Sequence, residues 1–222
     1  MDNTRKYALV TGASSGIGWH ISEELARRGY SIVAVSNQPE QLRKLKETLE
    51  KAYAVIVVPV DKDLAQEDSA MQLFRFCGDN ELAIEVLVND AGMFFFSEVT
   101  RTDPDKIRSI LALHILTPTL LCRLFGEQMA KKRCGYILNL SSITAMMPYP
   151  GISMYASTKS FIRHFTRAFR SEMKLDNVSV TCLMPGATDT SLYSTGNINV
   201  SILKKIGMMK NPQSVAGAGI KA

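Results

Sequence analysis

Tyr155 and Lys159 stand four residues apart in the run YASTK. On a helix that spacing puts both side chains on one face. A free tyrosine ionises at about 10, and a neighbouring ammonium favours the phenolate and lowers that value. A phenol tuned in this way exchanges a proton with an alcohol or carbonyl oxygen near neutral pH. A serine hydroxyl can hold that same oxygen while charge develops on it. Ser141 and Ser142 follow directly on the apolar run YILNL, residues 136–140. Y-x-x-x-K alone arises by chance in many helices, so its meaning depends on what else the chain carries.

A second constellation lies near the N-terminus. The run YALV, residues 7–10, leads into TGASSGIG, residues 11–18, and then into a helical pattern. Gly12, Gly16 and Gly18 permit a tight turn and close approach of a ligand to backbone. The following helix N-terminus offers unpaired N–H groups and the positive end of a dipole, which suit a pyrophosphate. A strand, a glycine loop and a helix in that order predict a dinucleotide site. Gly12, Ser14, Ser15, Gly16, Ile17 and Gly18 would line it.

These residues need a scaffold. Six short apolar runs (7–10, 31–35, 54–60, 85–88, 136–140 and 178–184) alternate with segments of helical periodicity. The runs are nearly continuous rather than alternating, as in strands buried on both faces. The order predicts an α/β fold of Rossmann type, a doubly wound parallel sheet with helices on both faces. With no repeat, low-complexity tract or linker, residues 1–222 read as a single domain.

Composition narrows the function. The chain is 46% hydrophobic and 21% charged, with a formal charge of +5 and a pI near 9.0. Its basic residues form short groups with no aromatic–basic recognition motif, which argues against a nucleic-acid partner. No apolar run approaches the roughly 20 residues of a membrane span, and the N-terminus lacks the layout of a signal peptide. Cys77, Cys122, Cys134 and Cys182 have no metal-like spacing. They read as reduced thiols of a cytoplasmic protein, and no metal site is expected.

The spacing T-G-x-x-x-G-x-G resembles the short-chain dehydrogenase/reductase family, as does the serine thirteen residues before Tyr155, which selects Ser142 over Ser141. The resemblance runs from residue 7 to about 220. It implies an oxidoreductase in which Tyr155 is the general acid/base, Lys159 lowers its pKa and Ser142 positions the substrate oxygen. The nicotinamide would supply or accept the hydride. Asn89, Ala91 and Gly92 in NDAG look like the family's N-N-A-G beside the adenine ribose, with Asp90 in place of the second asparagine. Pro185, Gly186, Thr188 and Thr190 resemble the segment that grips the carboxamide. Asp63 and Leu64 would contact the adenine, in preference to Asp61.

Cofactor choice turns on the end of the second strand. An acid there would bond the ribose 2′-OH of NAD, and an arginine would accommodate the phosphate of NADP. Ser36 and Asn37 occupy those places, and Ser15 stands where a basic residue often occurs. With no acid to repel a phosphate, NADP(H) is favoured over NAD(H). FFF (94–96) and MMPYP (146–150) are apolar and would surround an apolar alcohol or carbonyl substrate. SLYSTGNINV (191–200) reads as a lid.

Two departures stand out. The C-terminal run resembles the start of the family's last large helix, so the usual seventh strand is missing or truncated and the sheet is expected to hold six. A homodimer or homotetramer is possible on family grounds. The second departure is His114, where the family has an asparagine whose carbonyl holds a water linked to the lysine. Pro118 lacks an N–H and frees the carbonyl four residues earlier, which is that of His114. The imidazole either adds a proton-transfer group or fills space. The expected function is an NAD(P)(H)-dependent alcohol/carbonyl oxidoreductase. The alternative is a non-catalytic dinucleotide-binding regulator on the same fold.

Overall fold

The computed structural model describes residues 5–190 and 209–221. Among the described residues six strands form one parallel sheet: β1 (Tyr7–Thr11), β2 (Ser31–Ser36), β3 (Val57–Asp61), β4 (Ile84–Asn89), β5 (Gly135–Leu140) and β6 (Val178–Leu183), in the order β3-β2-β1-β4-β5-β6. The fold is the Rossmann-type arrangement expected from the alternating runs. Successive residues of each run face opposite sides. Leu9, Val33, Val35, Leu87 and Ile137 pack with α3 (Ser69–Asp79), α5 (Thr117–Lys132) and α6 (Ser153–Met173) through Leu73, Leu121, Phe125 and Met173. Ala8, Val10, Ile32, Ala34, Val86 and Val88 pack with α1 (Gly16–Arg27), α2 (Pro39–Ala52) and α7 (Pro212–Lys221) through Ile21, Leu25, Leu42, Leu45 and Ala216.

β3 departs from its expected bounds. It starts at Val57 rather than residue 54, and only Val57 and Val60 are buried. As an edge strand it needs one covered flank, and Pro59, which has no N–H to donate, is tolerated there.

The region 104–132 belongs to the segments of helical periodicity but is not one α-helix. It divides into α4 (Pro104–Leu111), a π-helical turn (Ala112–Leu116) and α5. Asp103 caps α4 by accepting the Asp105 N–H at 2.8 Å, and Pro104 and Pro118 each stand in a first turn, where a missing N–H costs little. By length and composition alone, Pro104–Lys132 would suffice to cross a membrane, contrary to the reading that no apolar run comes near that length. Its inward residues, Ile110, Leu121, Cys122, Phe125 and Met129, are buried in the protein.

The chain leaves β1 toward β2 and β3 on one side and later builds β4, β5 and β6 on the other. This reversal opens a crevice at the carboxyl ends of β1 and β4. Thr11, Asn89 and Asn139 pair in register there. Thr11 Oγ1 accepts the N–H groups of Asp90 and Ala91 at 3.0 and 3.1 Å, and donates to the Val88 carbonyl. The loops after β1 and β4 are thereby held together.

Candidate active site

The crevice is a cleft of about 680 Å³. One end is the glycine loop. Gly12 has φ +69°, and a Cβ there would stand 2.9 Å from the Ala91 nitrogen. Gly18 lies beneath the loop, where a Cβ would come within 2.3 Å of the Gly12 carbonyl oxygen. Ser14, Ser15, Gly16 and Ile17 face the cleft at the start of α1. Next to them Ser36 donates to Ser14 at 2.8 Å, and Asn37 lines the rim. Asp63 and Leu64 complete this end. The Asp63 carboxylate accepts the Ala65 N–H and the Gln66 amide, both at 2.9 Å. The segment after β6 borders the same cleft through Pro185, Gly186, Thr188 and Thr190, and Thr188 donates to the Gly186 carbonyl at 2.9 Å.

The other end holds Ser142, Tyr155 and Lys159. β5 delivers the two serines to different tasks. Ser141 donates to the Lys159 carbonyl at 2.7 Å, which ties β5 to α6, while the Ser142 hydroxyl accepts the Thr144 N–H at 3.2 Å and faces the cleft. α6 carries Tyr155 and Lys159 on one face, with the ammonium 5.6 Å from the tyrosine ring centroid. Lys159 donates to the Leu140 carbonyl at 3.0 Å. Burial lowers its pKa to about 8, against the opposing pull of Asp90 and Cys182. Phe94 meets the Tyr155 ring edge-on at 4.9 Å. Met93 and Phe94 line the cleft, while Met146 and Met147 stand exposed outside its lining.

Gly18, Asn89 and His114 do not line the cleft. Asn89 turns inward, donating to Asn139 at 2.8 Å, and Asn139 donates to Thr166 at 3.1 Å. His114, 2% exposed at the π-helical turn, is bonded at both ring nitrogens. The Met93 N–H donates to Nε2 at 2.9 Å, so Nδ1 carries the proton toward Thr158 Oγ1 at 2.9 Å, and Thr158 donates to the Tyr155 carbonyl at 2.8 Å. Burial and the Lys159 charge hold the imidazole neutral, with a pKa well below the usual value. The ring therefore ties the NDAG loop to the helix that bears Tyr155, a role the sequence alone did not suggest. Behind it, a cavity of about 10 Å³ is lined by His114, Pro118, Asn89 and Lys159. That is about the space one water needs. Asn89 Oδ1 is buried with no partner among the described residues.

Sequence reasoning missed several residues. Lys62, one place before Asp63, lines the same rim of the cleft and donates to Gln72 at 2.9 Å. Thr158 and Asn139 hold the active-site elements together from inside. A polar residue within YILNL was the available signal for Asn139. Nothing local marks Thr158. The run 191–200, expected as a lid, lies outside the described residues. All four cysteines are free thiols, with Cys77 and Cys122 pushed up to about 12 by burial.

Similarity to known proteins identifies the family. The profile described as short chain dehydrogenase matches residues 6–199. Very-long-chain 3-oxoacyl-CoA reductase-A of Danio rerio is 33% identical over 184 residues, covering 81% of this chain and 57% of that protein. 17-beta-hydroxysteroid dehydrogenase type 3 of Homo sapiens is 31% identical over 197 residues, covering 88% and 63%. The chain thus spans less than two thirds of the length of these relatives. A solved short-chain dehydrogenase from Sphingobium yanoikuyae, in complex with NADPH, superposes with a TM-score of 0.89 at 24% identity, covering 98% of this chain and 83% of that one. From the glycine loop to the strand before Pro185, sequence and fold agree: this chain belongs to the short-chain dehydrogenase family.

Proposed function

We propose that this protein interconverts an alcohol and a carbonyl on an apolar small molecule, using a nicotinamide dinucleotide. The observation that carries the reading is one cleft with a glycine loop at one end and Tyr155, Lys159 and Ser142 at the other. The cleft suits a dinucleotide: Gly12, with φ +69° and no room for a Cβ against the Ala91 backbone, lets the loop lie close to β4, and the N-terminus of α1 opens onto the cleft. The glycine loop would hold the diphosphate, Asp63 and Leu64 the adenine, and Pro185 to Thr190 the carboxamide. When bound, the nicotinamide supplies or accepts the hydride.

The chain's own residues manage the proton. Tyr155 gives a proton to the carbonyl oxygen in reduction and takes it back in oxidation. The Lys159 ammonium favours the phenolate, and Ser142 holds the substrate oxygen. Met93 and Phe94 give the substrate side an apolar wall. The names of the relatives, a 3-oxoacyl-CoA reductase and a hydroxysteroid dehydrogenase, fit substrates with an apolar skeleton. Turnover of either cofactor with a panel of apolar ketones and aldehydes tests the reading.

At the adenine end NADP(H) is preferred. Ser36 is engaged with Ser14 where an acid would repel the 2′-phosphate, and the Lys62 ammonium stands on the same rim. Lys62→Ala is expected to weaken NADPH binding severalfold and leave NADH nearly unchanged. Fluorescence titration with both cofactors checks this, and a wild-type preference for NADH overturns it.

Lys159 is resupplied with protons through the His114 carbonyl and the small cavity behind it, with Pro118 keeping that carbonyl free of a helical bond. His114→Asn is expected to retain turnover within severalfold, because an amide can both accept and donate. Pro118→Ala is expected to lower it more, and the reverse order would sink the idea. The same histidine affects acid stability. Its folded-state pKa is depressed, so its contribution is complete above about 6.5 and is lost as pH falls below that. Melting curves between pH 7.5 and 5 should fall more steeply for wild type than for His114→Asn.

A further inference from the structure

Asp90 is a carboxyl group inside the dinucleotide cradle, at a position where the family resemblance leads one to expect an amide. Its backbone N–H is held by Thr11 at 3.0 Å, which fixes the residue's place at the tie between β1 and β4. The carboxylate accepts the Gly18 N–H. A Cβ on Gly18 would stand 2.6 Å from Asp90 Oδ2 and 2.3 Å from the Gly12 carbonyl oxygen, so both oxygens crowd one point beneath the glycine loop. Asp90 also lines the cleft on the side where a diphosphate would lie.

An ionised carboxylate has no proton to donate, and here it adds negative charge beside a carbonyl oxygen. A diphosphate on the loop brings further negative charge into the same poorly solvated space. We propose that Asp90 takes up a proton from solvent when a dinucleotide diphosphate settles on the glycine loop, making it a positioning residue that links cofactor affinity to pH. The inference rests on the dinucleotide reading above.

The surrounding groups allow this. From α1 and the glycine loop, what reaches the carboxyl is backbone, the Gly18 N–H. From α6, Lys159 draws it toward the ionised form. Tyr155 lies on that same helix face. His114 at the π-helical turn is neutral, and the Cys182 thiol of β6 faces Lys159. Burial outweighs the ammonium and pushes Asp90 up to about 7 in the free protein. The sign follows directly. An anion on the loop favours the neutral carboxylic acid, so binding is tightest below pH 7 and weakens as pH rises through and above it. The slope from one group is at most about tenfold per pH unit. Lys159 also loses its proton near pH 8, which weakens binding of an anion; Asp90 helps to hold that proton, so in Asp90→Asn the loss comes at lower pH and works against the separation.

The test measures dissociation constants for NADH and NADPH from pH 6 to 9, in wild type and Asp90→Asn. Any titration of the 2′-phosphate is shared by both proteins and cancels in the comparison. The curves are expected to meet near pH 6 and to separate by roughly tenfold at pH 8.5, with the variant binding more tightly. Calorimetry of wild type with NADH at pH 7, where Lys159 is already charged and Asp90 half ionised, in two buffers of different ionisation enthalpy, should show net proton uptake on binding, and this readout does not depend on the variant folding. Parallel curves, weaker binding by the variant throughout, or binding without proton uptake would overturn the role of Asp90 and leave the dinucleotide reading standing. Absence of binding by either cofactor to wild type overturns both.

Discussion

Tyr155→Phe is expected to lower the rate of ketone reduction by about 10²- to 10⁴-fold, the usual range for loss of a positioned proton donor. Cofactor affinity should stay within severalfold of wild type, because the ring is retained. The phenyl group still fills the space between Phe94 and His114, whose rings lie 4.9 and 5.7 Å from it, so the fold should hold. A pre-steady-state measurement of hydride transfer with saturating cofactor separates the chemical step from binding. The pH profile adds a second readout. Lys159 loses its charge near pH 8, so support for the phenolate fades above that value. Wild-type oxidation should therefore fall off above about pH 8, where the ammonium that favours the phenolate is lost. If the variant matches wild type on every substrate, proton transfer by Tyr155 is refuted, and the non-catalytic cofactor-binding reading gains the ground.

Gly18→Ala should abolish dinucleotide binding or weaken it by at least about a hundredfold, since one methyl group meets rigid backbone. Its Cβ would fall 2.3 Å from the Gly12 carbonyl oxygen and 2.6 Å from Asp90 Oδ2. The closer contact cannot be relieved by a rotamer change, because its partner is the Gly12 backbone. The glycine loop must lift, and the N–H groups at the start of α1 lose their shared direction. Overpacking of this kind costs about 1–3 kcal/mol of stability in a well-packed site. A lowered melting temperature should therefore accompany the lost affinity. A variant that binds NADPH like wild type would show that the loop accommodates the methyl and that its observed shape is not required.

Much of the architecture was legible in the chain. Continuous apolar runs such as 7–10 and 31–35 announce strands covered on both faces, and the periodicity of 153–174 announces α6. The glycine spacing and the four-residue step from Tyr155 to Lys159 mark the two ends of one site, because each depends on local geometry. Boundaries were less legible where tertiary position decides. β3 begins late because its outer flank has no partner, and 104–132 is three pieces because Pro118 and the packing of His114 interrupt one helix.

His114 shows where local reading stops. Its spacing from Pro118 signals a kink, and the kink is present as a π-helical turn. The direction of the imidazole depends on Met93 and Thr158, which are 21 and 44 residues away. Asn89 is similar. As part of NDAG it reads as a cofactor contact, yet its side chain turns to Asn139 because register places the two opposite each other. Lys62 and Asp90 gain their significance only from the cleft they share.

The sequence by itself determined the parallel α/β order, the glycine loop and the Tyr–Lys face, since these follow from periodicity and short-range sterics. Only the tertiary structure decided which polar groups face the cleft and which hold its walls together. Hydrogen bonds between residues far apart in the chain make that choice, and so does the burial that sets the charges of Asp90, His114 and Lys159. No local pattern encodes either.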